Sequence, residues 1–360
     1  MPLLTRRRFY LTIALFAFIA LIVVMAAPGF GSMPLNPLKV LRAWLAGRGE
    51  PRSVEFDILL GLRLPRVALA FLAGAALGLT GAVFQALLRN PLAEPYTLGV
   101  ASGGSLGAVV CLFLPTLALR LGSEGARRAL DALARGWGPF SGVQIFSLAF
   151  SLLMVTVIYA LARGRSRIST MGLLLAGVTL GLICSAAILL IRYLSEPNLV
   201  VVMDRWLMGG LDVTGWKSLW PVLPILVPGA AILLSQARRY DQMAFGDELA
   251  AGRGVNVARL QKVSFFGGSL LTASVVAVAG PIGFVGLIVP HTVRRIVGPD
   301  HRLLLPCVFF AAGAFLVICD TAARTLFSPQ ELPVGIITSL LGGPYFLYQL
   351  IRGRGSLRAL

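Results

Sequence analysis

Charge is what this sequence has least of. Only 13% of its 360 residues are Asp, Glu, Lys or Arg, against about 25% in an average soluble chain. Acid is scarcest, with 15 Asp and Glu in all, and 57% of the residues are hydrophobic. The missing charge is missing in long blocks, which excludes a disordered chain and makes an ordinary soluble domain untenable. Cysteine is also sparse: Cys111, Cys184, Cys307 and Cys319 fall inside apolar blocks without CxxC spacing and read as small buried hydrophobes. The two histidines, His291 and His301, lack nearby ligand partners, so no metal site is expected.

Other absences narrow the chemistry. The lysines Lys39, Lys217 and Lys262 all lack the GxxxxGK[ST] context that cradles phosphates, so any ATP hydrolysis belongs to a separate chain. No Ser/His/Asp or Cys/His arrangement places a nucleophile beside a base, and the chain does not read as an enzyme. Asp320 is the one carboxylate near an apolar block. A proton- or sodium-driven carrier is expected to bury an acidic coupling residue, so this reading disfavours a secondary carrier or channel for a small solute.

What is present is membrane-spanning helix. A bilayer core about 30 Å thick needs about 20 apolar residues at about 1.5 Å each, and about ten stretches qualify by that rule: 9–28, 66–88, 96–114, 140–162, 171–194, 215–236, 257–280, 283–297, 303–321 and 334–351. The eighth is short and interrupted. The first follows Arg6, Arg7 and Arg8 without a convincing small-x-small cleavage site, and reads as a retained helix. With the N-terminus inside, about 18 of the 32 basic residues fall in inner segments, while acids largely offset the rest outside. Both termini are thus expected in the cytoplasm. The net charge of +17 has this topological origin, and no aromatic-interleaved basic patch supports a nucleic-acid partner.

Glycine recurs at helical spacing: Gly74 and Gly78, then Gly99, Gly103 and Gly107, then Gly177 and Gly181. Small residues four apart share a face and let helices approach closely. Three segments interrupt the apolar pattern. In Arg89-Asn90-Pro91-Leu92-Ala93-Glu94-Pro95, two prolines force the backbone out of helix, giving either a tight turn or the lining of a gate. Residues 237–256 read as one or two short amphipathic helices closed by glycine, able to dock a partner. Gly280-Pro281-Ile282-Gly283-Phe284 and Pro290-His291-Thr292 bracket the eighth span with helix breakers, with His291 expected at a broken helix end.

Together these segments resemble the permease subunits of the iron-complex and vitamin B12 family of ATP-binding-cassette importers, the FecCD family. The matching stretches are RLPR (63–66), GAALGLTGAVFQALLRNPLAEPYTLGVASGGSLGA (74–108), LLLAGVTLGLICSA (173–186), WLMGGL (206–211), GPIGFVGLIVPHTVRRIVGPDHRLLLP (280–306) and DTAARTLFSPQELPVGIITSLLGGPYFLYQL (320–350).

The resemblance implies an all-α, ten-helix type II importer permease fold, with the whole of 1–360 as a single transmembrane domain. It further implies a homodimer in the bacterial inner membrane, two ATPase subunits that bind ATP and Mg, and a substrate-binding protein docked outside. This chain would hold no cofactor. By motif position, Arg63, Arg66 and Arg324 would meet glutamates of the binding protein. Asn90, Leu92, Thr170 and Met171 would form the cytoplasmic gate, although the vitamin B12 permease has Ser where this chain has Met171. Met243, Gly246, Asp247, Glu248 and Gly252 would couple to the ATPase. The cargo would be a bulky metal chelate, a ferric siderophore, haem or cobalamin, with LLLAGVTLGLICSA tilting toward cobalamin. Residues 115–139, with Arg120, Arg127, Arg128 and Arg135, read as an outside insertion.

Overall fold

The computed structural model describes the chain apart from residues 1–4, 32–34, 36, 38–53, 97, 122–123, 139, 164–168, 213–214, 221 and 358–360. Lys39, Glu50 and the inner-segment residues Arg165, Arg167 and Arg358 lie outside the described residues. Among those described, the regular structure is helix joined by turns and loops, with a short bridge between Trp137 and Phe140.

Helix α1 (Arg6–Ala26) is followed by α2 (Leu64–Leu88), which a helical lead-in from Val54 precedes. Next come α3 (Val100–Leu121), α4 (Glu124–Arg135), α5 (Gly142–Ala162), α6 (Thr170–Tyr193) and α7 (Pro197–Leu207). Then follow α8 (Leu223–Ser235), the short pair α9 (Ala237–Met243) and α10 (Asp247–Gly252), α11 (Val257–Ala279), α12 (Val285–Val297), α13 (His301–Thr325) and α14 (Val334–Leu357).

Each of the ten apolar stretches carries a helix. Among the described residues, seven of these are long and apolar enough to cross a membrane, counting the lead-in as part of the second; α8 is a shorter apolar helix. The eighth stretch is short for a physical reason. The chain leaves α11 at Gly280, runs extended to Phe284 and only then enters the 13-residue α12. The second bracket is a correction: α12 runs through Pro290 and His291, which therefore sits within the helix and caps no broken end. Residues 115–139 likewise are no plain loop, because α3 continues to Leu121 and α4 occupies most of the remainder.

Helix α2 stands at the centre. Nearly all its side chains from Val67 to Leu88 are buried, and it packs against α13, α11 and α12. Its small residues make that possible. A methyl group on Gly74 would collide with the carbonyl oxygen of Ala312 on α13, and one on Gly81 with that of Gly286 on α12. Gly103 and Gly107 bring α3 against Phe146, Phe150 and Met154 of α5 in the same way. Helix α6 differs: Leu175, Val178, Leu182 and Leu189 are largely exposed along its length.

These contacts set an expectation. Gly81→Ala should destabilise the purified chain by about 1–3 kcal/mol through overpacking, whereas Gly267→Ala, whose methyl meets only Leu233 at 3.4 Å, should be tolerated. Thermal unfolding in one detergent compares them, and equal effects would contradict the packing argument.

Candidate functional site

Two groups of functional side chains lie at opposite ends of α2. At its N-terminal end, the RLPR turn directs Arg63 and Arg66 toward the C-terminal turns of α13, where Asp320 and Arg324 stand one helical turn apart. The Arg66 guanidinium contacts Asp320 through Nε at 3.0 Å and through Nη2 at 3.0 Å. It also reaches Glu331 at 2.6 Å and Asp212 at 3.4 Å. Arg324 donates to Asp320 from Nε at 3.1 Å.

Arg63 donates to the carbonyl oxygen of Pro28 at 2.8 Å, and Arg324 donates to that of Phe30 at 3.4 Å, so the chain leaving α1 is tied into the same cluster. Asp320 is 1% exposed, an environment in which a lone carboxylate is untenable. Its two arginines make it tenable.

The three arginines expected to meet a partner are therefore together, but two of them face inward: Arg63 is 6% and Arg324 5% exposed. Arg66 is the one backed by exposed acids, Asp212 and Glu331, and Arg205 at the surface adds a 3.0 Å contact to Asp212. Sequence reasoning missed Asp212 and Glu331 as partners, although both stood among the acids offsetting the outer arginines. The expectation that no carboxylate is buried is also corrected. Besides Asp320, Glu94 is buried and accepts a hydrogen bond from the backbone N–H of Phe284, where the extended chain turns into α12.

At the other end of α2, the segment after Leu88 is non-helical, as its prolines demand. Asn90 and Leu92 line a cavity of about 320 Å³ together with Leu287, Ile288, His291, Tyr345 and Gln349. Thr170 and Met171 are not among its lining residues. They open α6 elsewhere, with Met171 73% exposed.

Residues 237–256 form the helix pair α9 and α10. Met243 is fully buried on α9, and Glu248 lies exposed on the first turn of α10 beside Asp247. Gly246 separates the pair with φ +108, a conformation that favours glycine, and Gly252 ends it. Tyr240 is buried, its hydroxyl 2.8 Å from that of Ser264, and burial pushes that hydroxyl above its usual range. His301, read as lacking partners, meets Asp241 at 2.7 Å through Nδ1. Asp300, which caps α13, is held below the usual carboxylate range by Arg302.

Among the described residues no cluster of His, Cys, Asp or Glu is arranged to hold a metal ion. The arrangement offers ionic contact at one end, a cavity at the other and a short helix pair beside it.

Comparison with known proteins finds the FecCD transport family matching residues 18–352. The hemin transport system permease protein of Yersinia pestis is 36% identical over 338 residues, covering 94% of this chain and 95% of that one. The cobalamin import system permease protein of Halobacterium salinarum is 38% identical over 331 residues, covering 92% and 82%. A solved structure described as an inward-facing conformation of a transporter assigned to the metal-chelate ABC type superposes with a TM-score of 0.78 at 27% identity, covering 94% of this chain and 98% of the other.

The Arg66 cluster makes a stability prediction. Asp320→Ala leaves the buried Arg324 guanidinium without its carboxylate and should cost about 3–5 kcal/mol. Glu331→Gln, at a half-exposed site, should stay within about 1 kcal/mol. Chemical denaturation of the purified variants measures both, and an equal cost would mean that burial does not set the energetics here.

Proposed function

The chain belongs to the FecCD transport family, and we propose from that premise that it carries a bulky metal chelate across the inner membrane after delivery by a substrate-binding protein. It is a multi-pass membrane protein and a permease subunit of the metal-chelate type of ABC importer, with ATP hydrolysed by a separate subunit. The observation that carries the fuller reading is the placement of one ionic cluster and one helix pair at opposite ends of the same buried helix.

In this reading the Arg66 end faces outward and the Arg89 end inward, with both termini in the cytoplasm. Two copies enclose the path. The exposed apolar length of α6 leaves a face for the second copy or for lipid to cover. Two ATPase subunits, holding ATP and Mg, engage Met243, Gly246, Asp247, Glu248 and Gly252. The mouth lined by Asn90 and Leu92 serves as the cytoplasmic gate.

Arg66 would dock the binding protein by exchanging carboxylates. Its buried partner Asp320 stays, while the exposed Asp212 and Glu331 give way to glutamates of the incoming protein. Arg63 and Arg324 hold the cluster and the end of α1 in place behind it. The cargo is a ferric siderophore, haem or cobalamin. Cobalamin is favoured by the LLLAGVTLGLICSA stretch, while the relatives include both haemin and cobalamin permeases.

Proteoliposomes holding this chain with its ATPase and binding protein, offered cobalamin, haemin and a ferric siderophore in parallel, should take up one of the three only when ATP is supplied. Uptake without ATP would overturn the reading. Carboxylate exchange adds a signed prediction for docking affinity: Arg66→Glu should abolish it by setting like charges face to face, while Glu331→Gln, which removes an internal competitor, should strengthen it. Weaker docking of Glu331→Gln would refute exchange.

A further inference from the structure

We propose that the ion pair between Arg89 and Asp247 is the mechanical link through which the ATPase-coupling helix opens and closes the gate. This rests on the coupling and gate assignments above and adds the connection between them. The Arg89 Nη2 lies 2.8 Å from Oδ1 of Asp247, joining the last turn of α2 to the first residue of α10 across 158 positions of sequence. Asp247 is only 13% exposed in its side chain.

Arg89 is well placed to pass on a displacement. It sits in the left-handed region, at φ 47 and ψ 35, a conformation that residues other than glycine seldom adopt. The next residue is Asn90. Its backbone N–H donates to the carbonyl oxygen of Gln85 at 3.2 Å, its side-chain oxygen accepts from the N–H of Leu92 at 2.9 Å, and its carbonyl accepts from Ala93 at 3.1 Å. Residues 89–93 therefore form one hydrogen-bonded unit. A shift of the Arg89 side chain moves Asn90 and Leu92 with it rather than dissipating in a slack loop.

The other half of the device is a fixed point and a hinge. Helix α9 is anchored to α13 by Asp241, whose Oδ1 accepts from the backbone N–H of His301 at 2.8 Å and meets its Nδ1 at 2.7 Å. It is anchored to α11 by the contact between Tyr240 and Ser264. Gly246 follows, at a φ of +108, and Asp247 comes directly after it. With α9 held and a glycine at the junction, a force on α10 would swing α10 about Gly246, and the Arg89 guanidinium is what α10 holds. Arg89 and Asp247 thus act as positioning residues for the gate. Neither needs to touch the cargo.

The test uses the full importer in proteoliposomes, comparing wild type, Arg89→Glu, Asp247→Arg, the exchanged double variant and Arg89→Lys, with co-purification of the ATPase subunit confirmed for each. Two quantities are read: cargo transported per ATP hydrolysed, and ATP-dependent labelling of a Leu92→Cys reporter by a membrane-impermeant maleimide. Each single reversal is expected to lower transport per ATP at least tenfold and to abolish the ATP dependence of labelling. The exchanged pair and Arg89→Lys should recover both. Single reversals that stay within twofold of wild type would overturn the link, as would an exchanged pair no better than the single variants. A wild-type complex with no ATP-dependent uptake would instead sink the proposed cargo and binding-protein delivery, so the two failures are distinguishable.

Discussion

The close approach of α2 to its neighbours is the constraint on which the rest of this structure depends. Lipid offers no hydrophobic drive for one apolar helix to prefer another, so association rests on packing and on polar contacts. Gly74, Gly78 and Gly81 supply the packing by letting the backbones of α12 and α13 touch α2 directly. Once α2 is enclosed along nearly its whole length, its two ends become the natural places for charge, because only there do water or partner groups reach it. The chain uses both: Arg66 finds Asp320 at one end, and Arg89 finds Asp247 at the other.

The two pairs differ in burial and therefore in kind. Asp320 is enclosed and held by two arginines, so removing it strands charge in a low-dielectric setting and the structure loses heavily. Arg89 is about half exposed, and a pair of that sort adds little to stability. Low energetic weight suits the moving contact proposed for Arg89, whereas the Asp320 cluster, tying α1, α2 and α13 together, suits the fixed docking end proposed for Arg66.

Much of this was legible in the sequence, for identifiable reasons. Apolar length predicts spanning helices because the bilayer sets a fixed thickness, and a helix is found at every one of the ten stretches. Proline pairs predict the non-helical run after Leu88 because the ring forbids the helical hydrogen bond. The helix pair at 237–256 follows from its amphipathic stretches and terminal glycines. What stayed hidden depends on long-range contact. Nothing local to Glu331 or Asp212 shows that Arg66 will gather both, and nothing near Asp241 announces His301 sixty positions on. The course of α12 through Pro290 was misjudged because a proline inside an apolar stretch reads as a breaker, while a helix enclosed by neighbours accommodates one.

The buried carboxylates require a different argument against secondary transport from the one their expected absence supplied. Asp320 and Glu94 are both enclosed, so buried acidic residues are present after all. A coupling carboxylate, however, must exchange its partner ion during the cycle, and these two are committed to structure. Asp320 neutralises Arg66 and Arg324 together, and its loss would leave Arg324 without a carboxylate and Arg66 with only the half-exposed Glu331 and Asp212. Glu94 bonds the N–H of Phe284, a residue at φ +69 where an extended chain becomes a short helix. Such an irregular backbone survives at depth only if its polar groups are satisfied, and Glu94 satisfies one of them. In the reading proposed above, the energy for transport enters elsewhere, at the helix pair that α2 meets through Arg89.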